Sequence, residues 1–329
     1  MNPTMKSYSL RVEGARTVLE CNTVPVPAPG AGQMLVRMHA AGLNRGEFIA
    51  AHGLHAKATA AKPAGAEGAG VVAALGAGVT QWKPGDRVMG RTGGAFAEHA
   101  LVDAREAIAV PPGMSWEEAA AVPLAFLVAH DMLIAQGRLQ AGEWLLVTGI
   151  SSGVGCAALQ TAKALGAKVI GTSGSAEKLA KLAAHGLDLA INTRAADFCD
   201  QVMQATDGRG VDLVVNPVGG TVFAECIRSL AYQGRLATVG YLDGVMKAEI
   251  DLDALHAKRL TLFGVSNKLR NAEQRAAGVR GFVSDLLPLF ADGRIRPIID
   301  RVYAFDELPE AKAYMESNAH LGKIVVRVG

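Results

Sequence analysis

The sequence predicts an α/β fold. A parallel, doubly wound sheet in the middle of the chain is inserted into a β-rich, barrel-like domain built from both ends. Three observations predict it. Strand-like apolar runs alternate with helical segments at least four times between residues 143 and 240, a rhythm that requires right-handed crossovers and a sheet covered on both faces. A glycine-containing turn joins the first of those strands to the first helix. The first 120 residues instead show short apolar stretches parted by Pro and Gly, the pattern of an all-β domain.

Taken in order, Met34–Ala40, Gly70–Leu75 and Arg87–Met89 read as strands of the outer domain. Glu143–Thr148 then reads as a buried strand, Gly149–Gly155 as the turn, and Val154–Leu165 as a helix stopped by Gly166. Lys168–Thr172 is a second strand and Ala176–His185 a helix that ends at Gly186. Leu187–Ile191, Val211–Asn216 and Arg235–Gly240 are further strands, with helices over 196–205 and 222–230 between them. Helices at Gly281–Ala291 and Glu307–Glu316 and a strand at Lys323–Val328 follow. The expected borders are 1–122 with 266–329 for the outer domain and 123–265 for the inner one.

Composition narrows the function. In 329 residues, 50% are apolar and 19% charged, enough for two cored domains and too little charge for a disordered chain. Lys plus Arg number 33 against 31 Asp plus Glu, and no basic run occurs. Nothing electrostatic therefore points to nucleic acid or an acidic membrane as partner. The four cysteines, Cys21, Cys156, Cys199 and Cys226, form no CxxC pair, which excludes a zinc ribbon and argues against a disulfide framework. No apolar leader and no membrane span is expected, so the expected location is the cytoplasm.

The turn Gly149-Ile150-Ser151-Ser152-Gly153-Val154-Gly155 follows a strand and opens a helix. A pyrophosphate needs close backbone approach and unpaired N–H donors at a helix N-terminus. Gly153 permits the approach, Gly155 permits helix–strand packing, and the Gly153 and Val154 amides face the phosphates. Ser151 and Ser152 add hydroxyls. The competing reading is a tight turn without a ligand. The segment also fits a short-chain dehydrogenase pattern, but none of the five tyrosines is followed by Lys four positions on. Where an NAD-binding fold places a carboxylate on the ribose, the second strand runs Gly171-Thr172-Ser173-Gly174-Ser175. Ser173, Ser175, Lys178 and Arg194 suit a 2′-phosphate instead, so NADP(H) is the expected cofactor. A solvated Lys178 is the alternative, and Glu177 stands nearby as a contrary charge.

The sequence resembles the medium-chain dehydrogenase/reductase superfamily and, within it, the zinc-free NADPH:quinone oxidoreductase branch. The resemblance rests on Ala41-Gly42-Leu43-Asn44-Arg45-Gly46-Glu47, Gly65-Ala66-Glu67-Gly68-Ala69-Gly70-Val71-Val72, Lys83-Pro84-Gly85-Asp86-Arg87-Val88 and the glycine turn. It extends through Asp212-Leu213-Val214-Val215-Asn216-Pro217-Val218-Gly219-Gly220 to Gly322-Lys323-Ile324-Val325-Val326. It implies a GroES-like catalytic domain, a Rossmann domain, a cleft between them and a homodimer, with Arg259–Val265 extending the sheet across the two-fold axis. It also implies hydride transfer from NADPH to a quinone or an α,β-unsaturated carbonyl.

Zinc-dependent relatives hold a catalytic ion with Cys, His-Glu and Cys. Asn44, Ala66 and Leu124 stand at the Cys, His and second Cys places, so no metal is expected. By resemblance, Asn44 lies at the nicotinamide end, while Asn216, Val218, Gly240 and Tyr241 line the cofactor groove. Backbone groups of Val265, Ser266 and Asn267 hold the carboxamide, and Lys323 closes the groove. His52 is a candidate proton donor because imidazole titrates near neutrality, with an exposed loop histidine as the alternative. Phe48, Leu54, Phe126 and Leu269 are candidates for a substrate pocket or plain core. Two other functions stay open. One is an enoyl-thioester reductase using Arg270, Arg275 and Arg280 as a basic patch. The other is a non-enzymatic NADPH-binding protein of the lens-crystallin kind.

Overall fold

The computed structural model describes residues 3–14, 16–48 and 61–329. His52 and Leu54 lie outside the described residues. The chain divides into two compact units, Met1–Leu124 with Pro297–Gly329, and Ala125–Arg296.

The outer unit begins with β1 (Thr4–Glu13) and β2 (Arg16–Pro25), an antiparallel pair in register from Thr4–Pro25 to Glu13–Arg16. There follow β3 (Gln33–Gly42), β4 (Lys62–Pro63, paired with β1), β5 (Glu67–Leu75), β6 (Arg87–Arg91), β7 (His99–Asp103) and β8 (Ala107–Ala109). Alternation on β3 points Met34, Val36 and Met38 inward with Tyr8, Val72, Val88 and Phe96, while Arg37 faces out.

The inner unit holds β9 (Trp144–Val147), β10 (Lys168–Ser173), β11 (Leu189–Asn192), β12 (Val211–Asn216), β13 (Leu230–Thr238) and β14 (Thr261–Gly264). All six run parallel in the order β11-β10-β9-β12-β13-β14. This is the doubly wound order, which reverses direction between β9 and β12. Leu145, Leu146 and Val147 have no exposed surface, because helices cover a parallel sheet on both faces. The strand expected at 235–240 begins at Leu230. Leu230 pairs with Val211 and Arg235 with Leu213, so β13 bulges around Gln233, whose φ is 61°.

The segment 266–296, expected with the outer domain, packs in the inner unit. Its helix starts at Ala272, where Asn271 and Gln274 form a capping box, and a second helix, Leu287–Ala291, opens with Pro288. Phe290 sits edge-on to Phe126 at 4.9 Å, His130 Nε2 lies 2.8 Å from Asp285 Oδ2, and Arg270 pairs with Asp131 at 3.0 Å.

The chain then returns to the outer unit. β15 (Ile299–Tyr303) and β16 (Lys323–Arg327) complete a seven-stranded sheet in the order β15-β16-β3-β5-β6-β8, with β7 also on β3. The helix between them, Leu308–Glu316, buries Leu308, Ala311 and Met315 in the outer core. Among the described residues no helix is long and apolar enough to cross a membrane.

Candidate functional site

In the inner unit the glycine turn after β9 lies at the carboxyl edge of the sheet, beside the point where strand order reverses. Dinucleotides bind there in folds of this class. Ile150 is fully buried and gives its N–H to Thr172 O at 3.0 Å. The helix Gly153–Ala164 starts directly above it. A Cβ on Gly155 would lie 2.5 Å from Ile150 O, so only glycine lets the helix settle this close. Ser152 is the N-cap, its Oγ accepting from Gly155 N at 3.1 Å. The Gly153 and Val154 amides, in the first turn, have no intrahelical acceptor, and both residues keep part of their surface. The aligned peptide dipoles of the helix add positive potential at this end. A diphosphate fits these donors.

The rim beyond β10 gathers the expected residues. Ser173 is buried, with its Oγ 3.1 Å from Ser151 Oγ and accepting from Ser175 N at 3.3 Å. Ser175 caps the helix Ala176–Ala183. A Cβ on Gly174 would fall 2.7 Å from Arg194 Cζ, so the guanidinium lies directly over this glycine. Lys178 stands one turn into the helix that Ser175 caps. Glu177, on the same turn, is exposed and bonded to Lys181 at 2.8 Å, which holds its carboxylate below the ordinary range. Ser175, Lys178 and Arg194 thus form a polar, cationic rim, whereas the buried Ser173 braces the loop.

On the other side of the reversal, Asn216 has no exposed surface. Its Oδ1 accepts from Thr148 Oγ1 (2.9 Å), Val218 N (3.0 Å) and Gly219 N (3.1 Å), and its Nδ2 donates to Gly219 O (2.9 Å). Asn216 is therefore corrected from a cofactor ligand to the residue that shapes the Pro217–Gly219 turn. Val218 projects from that turn against Gly149, its Cγ2 3.3 Å from where a Gly149 Cβ would stand. Gly240 and exposed Tyr241 lie on a turn laid along Pro217, Leu242 N donating to Pro217 O at 3.2 Å. Val265 is buried and spends its N–H on Thr238 O at 2.9 Å, so a carboxamide at this edge would meet other groups of 265–267. Ser266 Oγ accepts from Lys268 N, and Asn267 O from Arg270 N.

The outer unit holds a second constellation, at the ends of β3, β5 and β16. Lys323 Nζ donates to Leu43 O (2.8 Å), Asn44 Oδ1 (2.8 Å) and Glu67 Oε1 (2.6 Å). Its three N–H groups are spent and 5% of it is exposed. Lys323 is therefore corrected: it has no donor left for a cofactor. Asn44 Nδ2 donates to Glu47 Oε1 (3.0 Å) and Glu67 Oε1 (2.9 Å). Both contacts, with a longer one to Gly42 O at 3.4 Å, make half-buried Asn44 an organiser of this cluster. Glu67 is wholly buried, and its Oε2 accepts from Leu124 N at 2.6 Å. Burial, with the Glu67 charge adding to it, raises the Glu47 carboxyl to about 8 against the opposing pull of Asn44, Lys323 and the Gly65 N–H.

Glu47 and Glu67 were not among the expected site residues. A local signal existed for Glu67 and Lys323, because each is a charge opening a strand whose next three residues are buried, and such charges demand partners. Of the apolar candidates, Phe48 and Phe126 are buried core while Leu269 is 93% exposed. Among the described residues, no group of three or more His, Cys, Asp or Glu could hold a metal ion.

Comparison with known proteins agrees with both units. Residues 30–112 match the alcohol dehydrogenase GroES-like domain, and residues 153–278 match the family described as zinc-binding dehydrogenase. The human synaptic vesicle membrane protein VAT-1 homolog is 31% identical over 326 residues, covering 94% of this chain and 83% of that protein. A phenolphthiocerol/phthiocerol polyketide synthase of Mycobacterium tuberculosis is 32% identical over 316 residues, which are 96% of this chain but only 14% of that protein's length. A mycobacterial protein solved in complex with NADPH superposes with a TM-score of 0.87 at 27% identity, over 98% of this chain and 99% of that one. A quinone oxidoreductase from Pseudomonas syringae pv. Tomato DC3000 gives 0.86 at 29% identity, with 98% and 99% covered. With a GroES-like unit, a Rossmann-type unit and other residues at the metal-ligand places, the chain belongs to the medium-chain dehydrogenase/reductase superfamily, among its zinc-free, quinone-oxidoreductase-like members.

Proposed function

We propose that the chain is an NADPH-dependent oxidoreductase that works without a metal and reduces a quinone or an α,β-unsaturated carbonyl. The observation that carries this reading is the helix N-terminus seated on Ile150 with Arg194 laid over Gly174 at the neighbouring strand end. It supplies amides for a diphosphate and a cation for one more phosphate. Bound NADPH supplies a hydride. The chain's own work is to hold: Gly153 and Val154 amides at the diphosphate, and Ser175, Lys178 and Arg194 at the 2′-phosphate. The charge developing on the acceptor oxygen must be met by hydrogen bonds and water, since Ala66 and Leu124, at the metal-ligand places, carry no ligand atom. Conjugated acceptors suit such a site because they spread that charge over several atoms.

The test is a spectrophotometric panel of NADPH and NADH oxidation over 9,10-phenanthrenequinone, simple enones and crotonyl-CoA. Quinone or enone turnover with a preference for NADPH supports the reading; no oxidation with any acceptor overturns it and favours a non-enzymatic binding protein. The polyketide synthase relative favours a second reading, an enoyl-thioester reductase. Against it, the basic residues it would use are already engaged. Arg270 pairs with Asp131, Arg275 bonds to Arg270 O, and Arg280 pairs with Glu273. A homodimer belongs to the main reading. β14 is an edge strand bonded only to β13 within its sheet, and an unpaired edge can continue a sheet into a second copy; light scattering after size exclusion tests it.

A further inference from the structure

The inner unit buries a carboxylate that the reading above does not use. Asp131 opens a π-helical turn, Asp131–Ala135. Gln136 N donates to Asp131 O at 3.0 Å across five residues, one more than in an α-helix. Gln136 Nε2 donates both to Asp131 Oδ1 at 3.1 Å and to Gly264 O at 3.3 Å. Arg270 Nη2 donates to Asp131 Oδ2 at 3.0 Å. One carboxylate thus holds both ends of the segment 264–270, the first through Gln136 and the last directly.

Strand register places this segment on the edge that carries the glycine turn. Val147 pairs with Val215, Asn216 with Thr238, and Thr238 with Gly264. Gly264 therefore ends its strand on the row from which the glycine turn and the Pro217–Gly219 turn also leave. Three strand spacings, about 14 Å, separate β14 from β9. With the diphosphate on the helix after β9 and the 2′-phosphate beyond β10, the remaining half of NADPH has the β12–β14 side of the reversal to occupy. Residues 265–267 present backbone groups there. Among the described residues, the N–H groups of Ser266 and Asn267 meet no acceptor.

We propose that Asp131 is a positioning residue for the nicotinamide: it clamps 264–270 at both ends so that the backbone of 265–267 meets the ring's carboxamide. The proposal rests on the reading above that NADPH binds at this edge. Asp131 itself touches no cofactor atom in this role, and its partners Gln136 and Arg270 carry the effect.

Calorimetry with two ligands tests it. 2′,5′-ADP carries the adenosine, the 2′-phosphate and one phosphate of the diphosphate, but no nicotinamide. Asp131→Asn, nearly the same in shape, is expected to weaken NADPH binding by about tenfold and to leave 2′,5′-ADP binding as in the wild type. Arg270→Gln, changed at the more exposed partner, is expected to do the same, and it decides the question if Asp131→Asn does not fold. The double variant is expected to lose no more than either single one, because both act through one contact. Unchanged NADPH affinity in either folded variant, or an equal loss for the two ligands, overturns the proposal and leaves the reductase reading standing. Wild-type protein that fails to bind NADPH overturns that reading and this role with it.

Discussion

Lys323 Nζ lies 2.6 Å from Glu67 Oε1 across 256 residues of sequence, with 5% and none of the two side chains exposed. The pair joins the start of β5 to the start of β16. A buried pair adds little net stability over a well-packed apolar substitute, but removing one partner strands a charge. Lys323→Ala is expected to lower the stability of the outer unit by about 3–5 kcal/mol. The double variant Lys323→Met with Glu67→Gln is expected to recover most of that. Urea denaturation of the three proteins at pH 7 checks it; equal losses in the single and double variants would refute the argument.

Glu47 gives a pH dependence of opposite sign to that of an ordinary paired carboxylate. Its folded-state affinity for a proton is raised above the unfolded value, so between those two values the folded protein binds more protons than the unfolded chain. Stability from this group is complete at acid pH and declines as pH rises toward 8. Glu47→Gln should therefore gain on the wild type as pH rises from 5 to 8, by on the order of a few degrees in melting temperature. Differential scanning at four pH values reads the slope, and parallel curves would contradict it.

Gly155→Ala places a methyl group against the Ile150 backbone, 2.5 Å from its carbonyl oxygen. Backbone cannot rotate aside as a side chain can, so the whole helix must lift. A cost of about 1–3 kcal/mol is expected, together with weaker nucleotide binding because the first-turn amides move. Calorimetry with NADPH and thermal melts of the apo protein measure the two effects together.

Arg194→Ala is expected to weaken NADPH binding by about tenfold or more and leave NADH binding little changed. Lys178→Ala should act in the same direction. Titration of both nucleotides against each variant gives the ratio, and an unchanged ratio in both would remove these residues from phosphate recognition.

The inner sheet is legible in the sequence because its central strands are buried on both faces, leaving unbroken apolar runs such as Leu145-Leu146-Val147. The glycine turn is legible because backbone crowding at Gly155 admits no other residue. The segment 266–296 misleads only in its domain: a helix is expected there at Gly281–Ala291, but the border is set at the end of the last inner strand. The first helix starts earlier, at a capping box of Asn271 and Gln274, and the second is held to the inner unit by Phe290 against Phe126. Asn216 and Lys323 sit where a cofactor groove is expected, yet hydrogen bonds to groups far apart in sequence consume their polar atoms. No local pattern reports such long-range commitments.

The position of β16 bears on how the protein is made. This strand lies between β15 and β3, and it delivers the ammonium that neutralises Glu67. On the ribosome, the inner unit has all its strands by residue 264 and can close while synthesis continues, as domains generally do. The outer sheet must wait, with β3 lacking a neighbour and Glu67 its counter-charge, until residues 323–327 emerge. A nascent chain stalled before that point would carry one finished half and one open half, the state in which chaperones and proteases meet an unpaired strand.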